Sequence, residues 1–367
     1  MDAREKPAEQ VSQGVVAPDT GAPEFLEVIS ETGESAPTAP QEGLQAAKPP
    51  ATPFQESLRK LRRDGRAIAS IALILLFVLV SIFGPLIYQH IGGAYKSTAT
   101  NKVVSSTVYH TFDHQEQDRL DEGPSGQYWL GTDSLGRDLF ARLMQGMLIS
   151  LLVAFVVELV DIVFGVTIGV LAGYYGGWID QLLARFTDIM FAFPGVLFVI
   201  LLTGIFGSWA DDHLESIPVI GPNGNARLVL VSLGLAFTIW PLMARYVRGQ
   251  TLQLKQQQFI EAARTAGTSN VRIITRHIIP NLFSIVIIAS TLNISNVIIG
   301  EASISLLGLG VRPPGASIGL MIADGSNVVT VYPWETLLPS IVLALIVLSF
   351  SFLGDSLRDA FDPRSKD

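Results

Sequence analysis

Six long apolar runs constrain the fold of this 367-residue chain more than any other feature of its sequence. A helix rises about 1.5 Å per residue, so about 20 apolar residues are needed to cross a hydrocarbon core about 30 Å thick. The first run contains no charged residue and is long enough to cross alone. The sequence therefore predicts an all-α polytopic membrane protein with six transmembrane helices. We place these helices near residues 67–88, 145–172, 189–207, 228–244, 282–300 and 336–353.

The overall composition supports this class. Hydrophobic residues make up 49% of the chain and charged residues only 16%, whereas about a quarter of the residues in soluble domains are charged. An ordinary soluble protein is therefore excluded. The chain has no cysteine, which fits a protein without disulfides or thiolate metal sites. The five histidines show no ligand spacing, so no metal site is predicted.

The first 56 residues differ in composition from the rest of the chain. They hold ten acidic and three basic residues, a net charge of −7 within a total of −8, and eight of the 20 prolines. Low hydrophobicity with excess charge leaves too little apolar surface to bury, so a disordered tail is predicted. The predicted organisation is a cytoplasmic tail over 1–56, a basic flank and first span over 57–88, an extracytoplasmic loop over 89–142, a core domain with five spans over 143–357 and a cytoplasmic tail over 358–367.

The distribution of lysine and arginine predicts the orientation, because cytoplasmic loops carry an excess of these residues. Five of them lie within residues 59–66, immediately before the first span. Counted from residue 57 and alternating sides from there, the segments assigned to the inside hold fifteen lysine and arginine residues and those outside hold seven. Both termini and residues 245–281 are therefore predicted to face the cytoplasm.

A charged segment lies between the fourth and fifth spans. Residues 259–266 are predicted to form a short helix, with Glu261 near its positive end. The small side chains of Ala262 and Ala263 allow another chain to approach this helix closely. Gly267 can adopt the left-handed conformation that ends a helix.

A second helix is predicted to follow this turn. Residues 268–270 offer capping side chains, and apolar residues recur at helical spacing over 271–278. Pro280 is expected to stop or bend the helix where the fifth span begins. Two interpretations follow from the residues alone: a stiff lever that carries force from a soluble partner into the spans, or an amphipathic loop near lipid head groups.

The same stretch, EAARTAGTSNVRIITRHIIPN, resembles the EAA signature of ABC-importer permeases. In that signature Glu-Ala-Ala is followed by glycine at the seventh position and proline at the twentieth. The matching residues here are Glu261, Ala262, Ala263, Gly267 and Pro280. The resemblance implies that this segment is the coupling helix, which docks into a groove on an ATPase subunit. Arg264 is then a candidate to pair with acidic residues of the ATPase.

Further stretches narrow the resemblance. GTDSLGRDLFARLMQG, AGYYGGWID, LLGLGVRPPGAS and LGDSLRDAFDPR follow one another over about residues 130–364. They are similar to the C-type permease of bacterial dipeptide, oligopeptide and nickel importers. This implies the type I ABC-importer permease fold and a subunit that translocates peptides in the bacterial inner membrane, in contact with lipid. The implied partners are a related permease in a heterodimer, two ATPase subunits and an extracytoplasmic peptide-binding protein.

No nucleotide site is predicted in this chain. A phosphate loop requires G-x-x-x-x-G-K-[ST], and the near miss HIGGAYKST has Tyr95 where the glycine before the lysine is needed. ATP and Mg²⁺ are therefore expected in the partner ATPases, with no cofactor in this chain. No nucleophile–base arrangement stands out, so we expect neither an enzyme nor a nucleic-acid partner.

Glu158 and Asp161 lie three residues apart in the second span and therefore share one helical face. Carboxylates inside a membrane are expensive and usually functional. They could couple transport to an ion in a secondary transporter, line the substrate path and favour a peptide's ammonium group, or hydrogen-bond to neighbouring spans. The peptide-permease pattern does not require a carboxylate at position 158, so the chain departs from the family there. A scaffold that recruits a partner without transport is the remaining alternative function.

The start of the second span holds three further charged residues. Asp133, Arg137 and Asp138 lie where the outer loop enters the membrane, and the resemblance implies an outer gate or a dock for the binding protein. Asp133 or Ser134 is expected to cap this helix. Pro194 is expected to kink the third span.

Overall fold

Long helices dominate the computed structural model, which describes residues 53–217 and 224–361. A five-residue π-helical turn, Ile274–Ile278, joins the helices Asn270–Ile273 and Ile279–Leu306. In chain order the elements are α1 (Pro53–Leu61), α2 (Gly65–Tyr88), β1 (Tyr95–Lys96), β2 (Val103–Val104), α3 (Ser106–Tyr109), α4 (Leu139–Tyr175), α5 (Gly177–Phe191), α6 (Gly195–Leu214), α7 (Ala226–Leu254), α8 (Gln258–Thr265), α9 (Asn270–Ile273), α10 (Ile279–Leu306), α11 (Ile318–Ser326) and α12 (Trp334–Phe361).

Six helices in the described ranges are long and apolar enough to cross a membrane, as predicted. They are α2, α4, α6, α7, α12 and the continuous helix Asn270–Leu306, which includes α9, the π-helical turn and α10. On their outer faces, large apolar side chains such as Leu75, Leu201 and Leu337 are exposed. This arrangement suits contact with lipid, since a hydrocarbon solvent does not penalise exposed apolar surface.

The centre of the fold is the long pair α4 and α7. Their close packing depends on glycines of α4 that face α7. A Cβ on Gly169 would lie 2.6 Å from the carbonyl oxygen of Ala244, and one on Gly173 would lie 2.7 Å from the Cβ of Thr251. Any larger residue would therefore separate the two helices, as is general for small residues between membrane helices.

The main core forms where α4, α7 and α10 meet, with α2, α11 and α12 packed around them. Val157 of α4, Val231 of α7 and Ile298 of α10 have no exposed surface. This core positions the middle of α4 against α10.

The segment between α2 and α4 folds into a small subdomain, which we call the cap. Its two short strands pair antiparallel, with Tyr95 opposite Val104. Asp118 accepts hydrogen bonds from the backbone N–H groups of Thr98, at 2.5 Å, and Ala99, at 3.0 Å. Together with the Thr98 hydroxyl, these donors hold the pKa of the Asp118 carboxyl below its usual range. The segment predicted as a loop over residues 89–142 therefore has defined structure, and α4 already begins within it.

Three boundary predictions are corrected. The third span begins at Gly195, six residues later than predicted, because residues 189–191 end the separate helix α5. Pro194 lies between the two helices, at the N-cap of α6, and does not kink a span. The predicted tail covers residues 1–56, of which residues 1–52 lie outside the described part of the chain. Residues 53–56 instead form the first turn of α1, where a proline is tolerated.

The start of α4 and the role of Pro280 also differ from expectation. Asp138, rather than Asp133 or Ser134, caps α4 by accepting from the backbone N–H groups of Phe140 and Ala141. Pro280 does not stop the helix: it lies in the first turn of α10, and the π-helical turn before it keeps the chain helical.

Candidate functional site

The segment between α7 and α10 is an elbow, defined here as residues 258–278. Its first helix, α8, ends in a Schellman turn: the Thr268 N–H donates to the Ala263 carbonyl at 3.0 Å and the Gly267 N–H to the Arg264 carbonyl at 2.9 Å. Gly267 has φ +76°, in the left-handed region predicted for it. A Cβ at Gly267 would meet no atom within 4 Å, so the need for glycine is conformational rather than steric.

The elbow is fixed to the membrane helices by buried isoleucines. Ile260 of α8, Ile273 of α9 and Ile278 of the π-helical turn have no exposed surface and pack with Val170 and Val247 in a second core, separate from the main one. Each fully buried aliphatic side chain stabilises the packed state by about 1.5–3 kcal/mol. The two short helices therefore move with α4 and α7 rather than as a free loop.

Tyr174, at the end of α4, holds the elbow from the side. Its hydroxyl donates to Asn270 Oδ1 at 2.8 Å, and the Arg264 guanidinium lies 5.2 Å from its ring centre, within cation–π range. The Tyr174 side chain thus contacts both α8 and α9. Sequence reasoning missed this role, because the tyrosines of AGYYGGWID give no sign of which segment they meet.

The residues of the signature lie in two places. Glu261, Ala262 and Arg264 are exposed on α8, while Ala263 is half-buried against the core beneath. Pro280 is exposed but lies beyond the elbow, in the first turn of α10. The exposed part of α8 therefore offers a short polar surface with little side-chain bulk at its centre.

A second candidate site lies inside the spans. Glu158 and Asp161 of α4 are both buried, and Asn293 Nδ2 of α10 donates to Glu158 Oε2 at 2.9 Å and approaches Asp161 Oδ2 at 3.4 Å. The shared face predicted for the two carboxylates is confirmed. Among the residues that the structure describes, neither forms an ion pair with a lysine or arginine. We call Glu158, Asp161, Ser290 and Asn293 the polar cluster.

A cavity of about 590 Å³ opens beside this cluster between α4 and α10. Glu158 and Ser290 line it, and its other walls are almost entirely apolar. Asp161 lines a separate cavity of about 20 Å³ on the α7 side, together with Asn293. The cluster therefore faces open space mainly through Glu158 and Ser290.

Glu301 is a further buried carboxylate, which sequence reasoning did not single out. Ser150 donates to its Oε2 and Ser305 to its Oε1, both at 2.7 Å. Both oxygens are satisfied, and Glu301 does not line the cavity of the polar cluster. It ties α4 to α10 without facing open space.

The N-terminal end of α4 and the turn before it carry an ion network, formed by the buried Asp133, Arg137 and Arg142 and the partly exposed Asp324. Arg137 Nε donates to Asp133 Oδ2 at 2.7 Å, and its NH2 donates to Asp324 Oδ2 of α11 at 3.2 Å. Arg142 lies 3.4 Å from Asp133 and 3.5 Å from Asp324. The network joins α4 to α11. Sequence reasoning missed Arg142 and Asp324, since nothing local signals a contact across 187 residues.

Asp138 does not join this network. Its Oδ1 accepts hydrogen bonds from the backbone N–H groups at the start of α4. Its Oδ2 lies 2.6 Å from Nδ1 of His110, which belongs to the segment between α2 and α4. Both side chains are buried. The structure therefore separates Asp138 from Asp133 and Arg137, the residues with which the sequence grouped it.

Comparison with known families decides what this architecture is. The family described as "Binding-protein-dependent transport system inner membrane component" matches residues 165–367, more than half of the chain. The chain belongs to this family of ABC-importer permeases. The family described as "N-terminal TM domain of oligopeptide transport permease C" matches residues 52–99 of the permease. The C-type resemblance stated from the motifs is thereby confirmed.

Curated relatives match the permease over most of their length. It is 34% identical over 315 residues to the dipeptide transport system permease protein DppC of Alkalihalophilus pseudofirmus, covering 86% of this chain and 91% of that one. It is 37% identical over 315 residues to the glutathione transport system permease protein GsiD of Pectobacterium atrosepticum, covering 86% and 92%. A solved inward-facing form of the MetNI methionine ABC transporter aligns with 60% of the permease and 96% of its own chain, with 17% identity and a TM-score of 0.47.

The permease is a multi-pass inner-membrane transport subunit, and its described residues include six helices that are long and apolar enough to span the membrane. In this family the ATPase is a separate chain and an external binding protein delivers the solute, so the permease is a transport subunit and not an enzyme.

Proposed function

We propose that the permease translocates peptides as one half of a heterodimer with a related permease. Two relatives that match most of the chain are named as dipeptide and glutathione permeases, and both of those solutes are peptides. Two ATPase subunits, which hold ATP and Mg²⁺, and an extracytoplasmic peptide-binding protein complete the complex. Both termini of the permease are cytoplasmic, an orientation that the excess of lysine and arginine on that side supports.

The elbow carries this proposal. The exposed surface of α8 from Glu261 to Arg264 docks into the ATPase, with Ala262 allowing close approach and Arg264 pairing with ATPase carboxylates. Closure of the ATPases on ATP then moves α8. Because the buried isoleucines and Tyr174 fix α8 to the spans, this movement reaches the ends of α4 and α10 as one body. Gly267 maintains the turn between α8 and α9, and Pro280 lies just after the elbow, where α10 begins.

The polar cluster and the charged residues before α4 have separate roles in this transport cycle. The polar cluster lies on the translocation path between α4 and α10: Glu158 and Ser290 face the larger cavity, and Asp161 lies behind Asn293. Asp133 and Arg137 act at the outer gate by tying α4 to α11, and Asp138 ties α4 to the cap. All three side chains are buried, which favours a gate over direct contact with the binding protein.

Reconstitution tests this function against its rivals. In proteoliposomes that contain both permeases, the ATPases and the binding protein, peptide uptake should require ATP and stop when the ATPases are omitted. A secondary transporter using Glu158 and Asp161 would instead take up peptide without ATP and lose activity with an uncoupler. A scaffold would bind its partners without any flux. Peptide uptake that persists without ATP would overturn the proposal.

A further inference from the structure

The polar cluster holds buried oxygen atoms without a well-formed hydrogen bond in the described part of the chain. These are Glu158 Oε1, Asp161 Oδ1 and Ser290 Oγ, although Ser290 and Asp161 both lie close enough to Glu158 to interact with it. Glu158 and Ser290 expose only 4% and 7% of their surfaces. Buried polar groups are nearly always hydrogen-bonded and buried charges are nearly always paired. The cluster therefore lacks a group that is rich in donors, and a cation fits it best.

The depth of the cluster limits where this group comes from. Glu158 lies at the middle of the 37-residue helix α4, so its cavity opens near half-height in a bilayer and far from the lipid head groups. A lipid amine is therefore a poor source. Transporters commonly bind their substrates near the midplane, so a transported solute is the better one.

The shape and lining of the cavity suit a small peptide. Its volume of about 590 Å³ is within the range of small-molecule sites. Its walls include Phe155, Phe283 and Ile287, which offer apolar contact to uncharged side chains. Glu158 and Ser290 are the polar groups at one side, and Asp161 stands behind Asn293. Such a site matches a solute with an apolar body and one positive end.

We propose that Glu158 and Ser290 bind the primary ammonium group of the transported peptide, with Asp161 adding negative charge from behind Asn293. This inference rests on the proposed function and names the part of the cargo that the path recognises. An ammonium group carries three donors and no acceptor, so from the large cavity it can donate to both Glu158 Oε1 and Ser290 Oγ. Glu158 lines the large cavity and Asp161 does not, so Glu158 contributes more to binding.

Transport by the complete system gives the first test. With trialanine as the probe, Glu158→Gln should lower ATP-dependent uptake at subsaturating peptide by at least about tenfold, the loss expected for a charge-assisted hydrogen bond. Asp161→Asn should have a smaller effect. Glu301→Gln is the matched control, because Glu301 is equally buried but satisfied, and its uptake should stay near wild type. Wild-type uptake by Glu158→Gln, or an equal loss in Glu301→Gln, would overturn the inference.

Chemical labelling of the complex without its binding protein is the second test. Its result does not depend on which peptides the binding protein prefers. Millimolar trialanine should slow the modification of Glu158 by dicyclohexylcarbodiimide, read by mass spectrometry, whereas N-acetyl-trialanine should not. Equal protection by both peptides, or by neither, would contradict ammonium recognition. The two failures are distinguishable: a wild-type system without ATP-dependent peptide uptake refutes the proposed function, and normal uptake with no effect at Glu158 refutes only this inference.

Discussion

Replacement of Gly267 by valine should uncouple ATP hydrolysis from transport. Gly267 holds the turn of the elbow at φ +76°. The left-handed conformation costs a residue with a Cβ about 1–2 kcal/mol, and β-branched residues are rare outliers there. Because a Cβ at this position meets no atom within 4 Å, no steric clash adds to this cost. The whole effect is therefore conformational.

The expected size follows from that cost. A change of 1–2 kcal/mol shifts an equilibrium by about 5- to 30-fold, here between the observed turn and a relaxed one. We expect the peptide imported per ATP hydrolysed to fall by about this factor in proteoliposomes that contain the complete complex. Assembly should be normal, since the buried isoleucines of the elbow are untouched.

Two further variants make the test specific. Gly267→Asn should stay close to wild type, because asparagine tolerates the left-handed region. Gly249→Val is the matched control: Gly249 is also open to an added Cβ, but it lies inside helix α7 and has no positive φ. Wild-type coupling in Gly267→Val, or an equal loss in Gly267→Asn, would refute our account of the turn.

Two more predictions concern Tyr174, which holds the elbow, and Asp133, which belongs to the proposed outer gate. Tyr174→Phe removes only the hydroxyl that donates to Asn270, so the peptide imported per ATP should fall by about 2- to 10-fold, the worth of one hydrogen bond; an unchanged ratio would show that this bond does not hold the elbow. Asp133→Ala leaves the buried charge of Arg137 without its closest partner and should destabilise the permease by about 3–5 kcal/mol. The midpoint of thermal unfolding in detergent measures this loss, with Asp188→Ala as control, because that exposed pair should contribute at most about 1 kcal/mol; equal shifts would contradict the prediction.

The number of spans and the helix–turn–helix between the fourth and fifth could be predicted because both depend on local pattern. Apolar length fixes the spans, and a glycine that follows good helix formers fixes the turn at Gly267. The ends of the spans were less predictable. Helices such as α4 and α7 continue well past their apolar stretch, since side chains outside the hydrocarbon core need not be apolar. The role of Pro194 was unpredictable for a similar reason: a run of apolar residues does not show whether it forms one kinked helix or two separate helices.

The contacts that connect the sites could not be predicted. Tyr174 meets Asn270 across 96 residues, and Arg137 meets Asp324 across 187. Such pairs depend on how the spans pack, which a single sequence does not encode locally. Asp138 illustrates the consequence: its neighbours in sequence suggested one charged group, but packing directs its side chain to His110 and to the end of α4.

Cross-linking of α8 tests the central claim most directly, namely that the ATPase binds the elbow. The chain contains no cysteine, so single substitutions need no altered background. Ala262→Cys, exposed on α8, should cross-link to an ATPase subunit in the assembled complex, and the yield should change with ATP. Val103→Cys is also exposed but lies in the cap, on the side of the membrane opposite to the elbow in our proposal, and should give no such product. An ATPase cross-link at position 103, or none at position 262 in a complex that transports, would contradict the account.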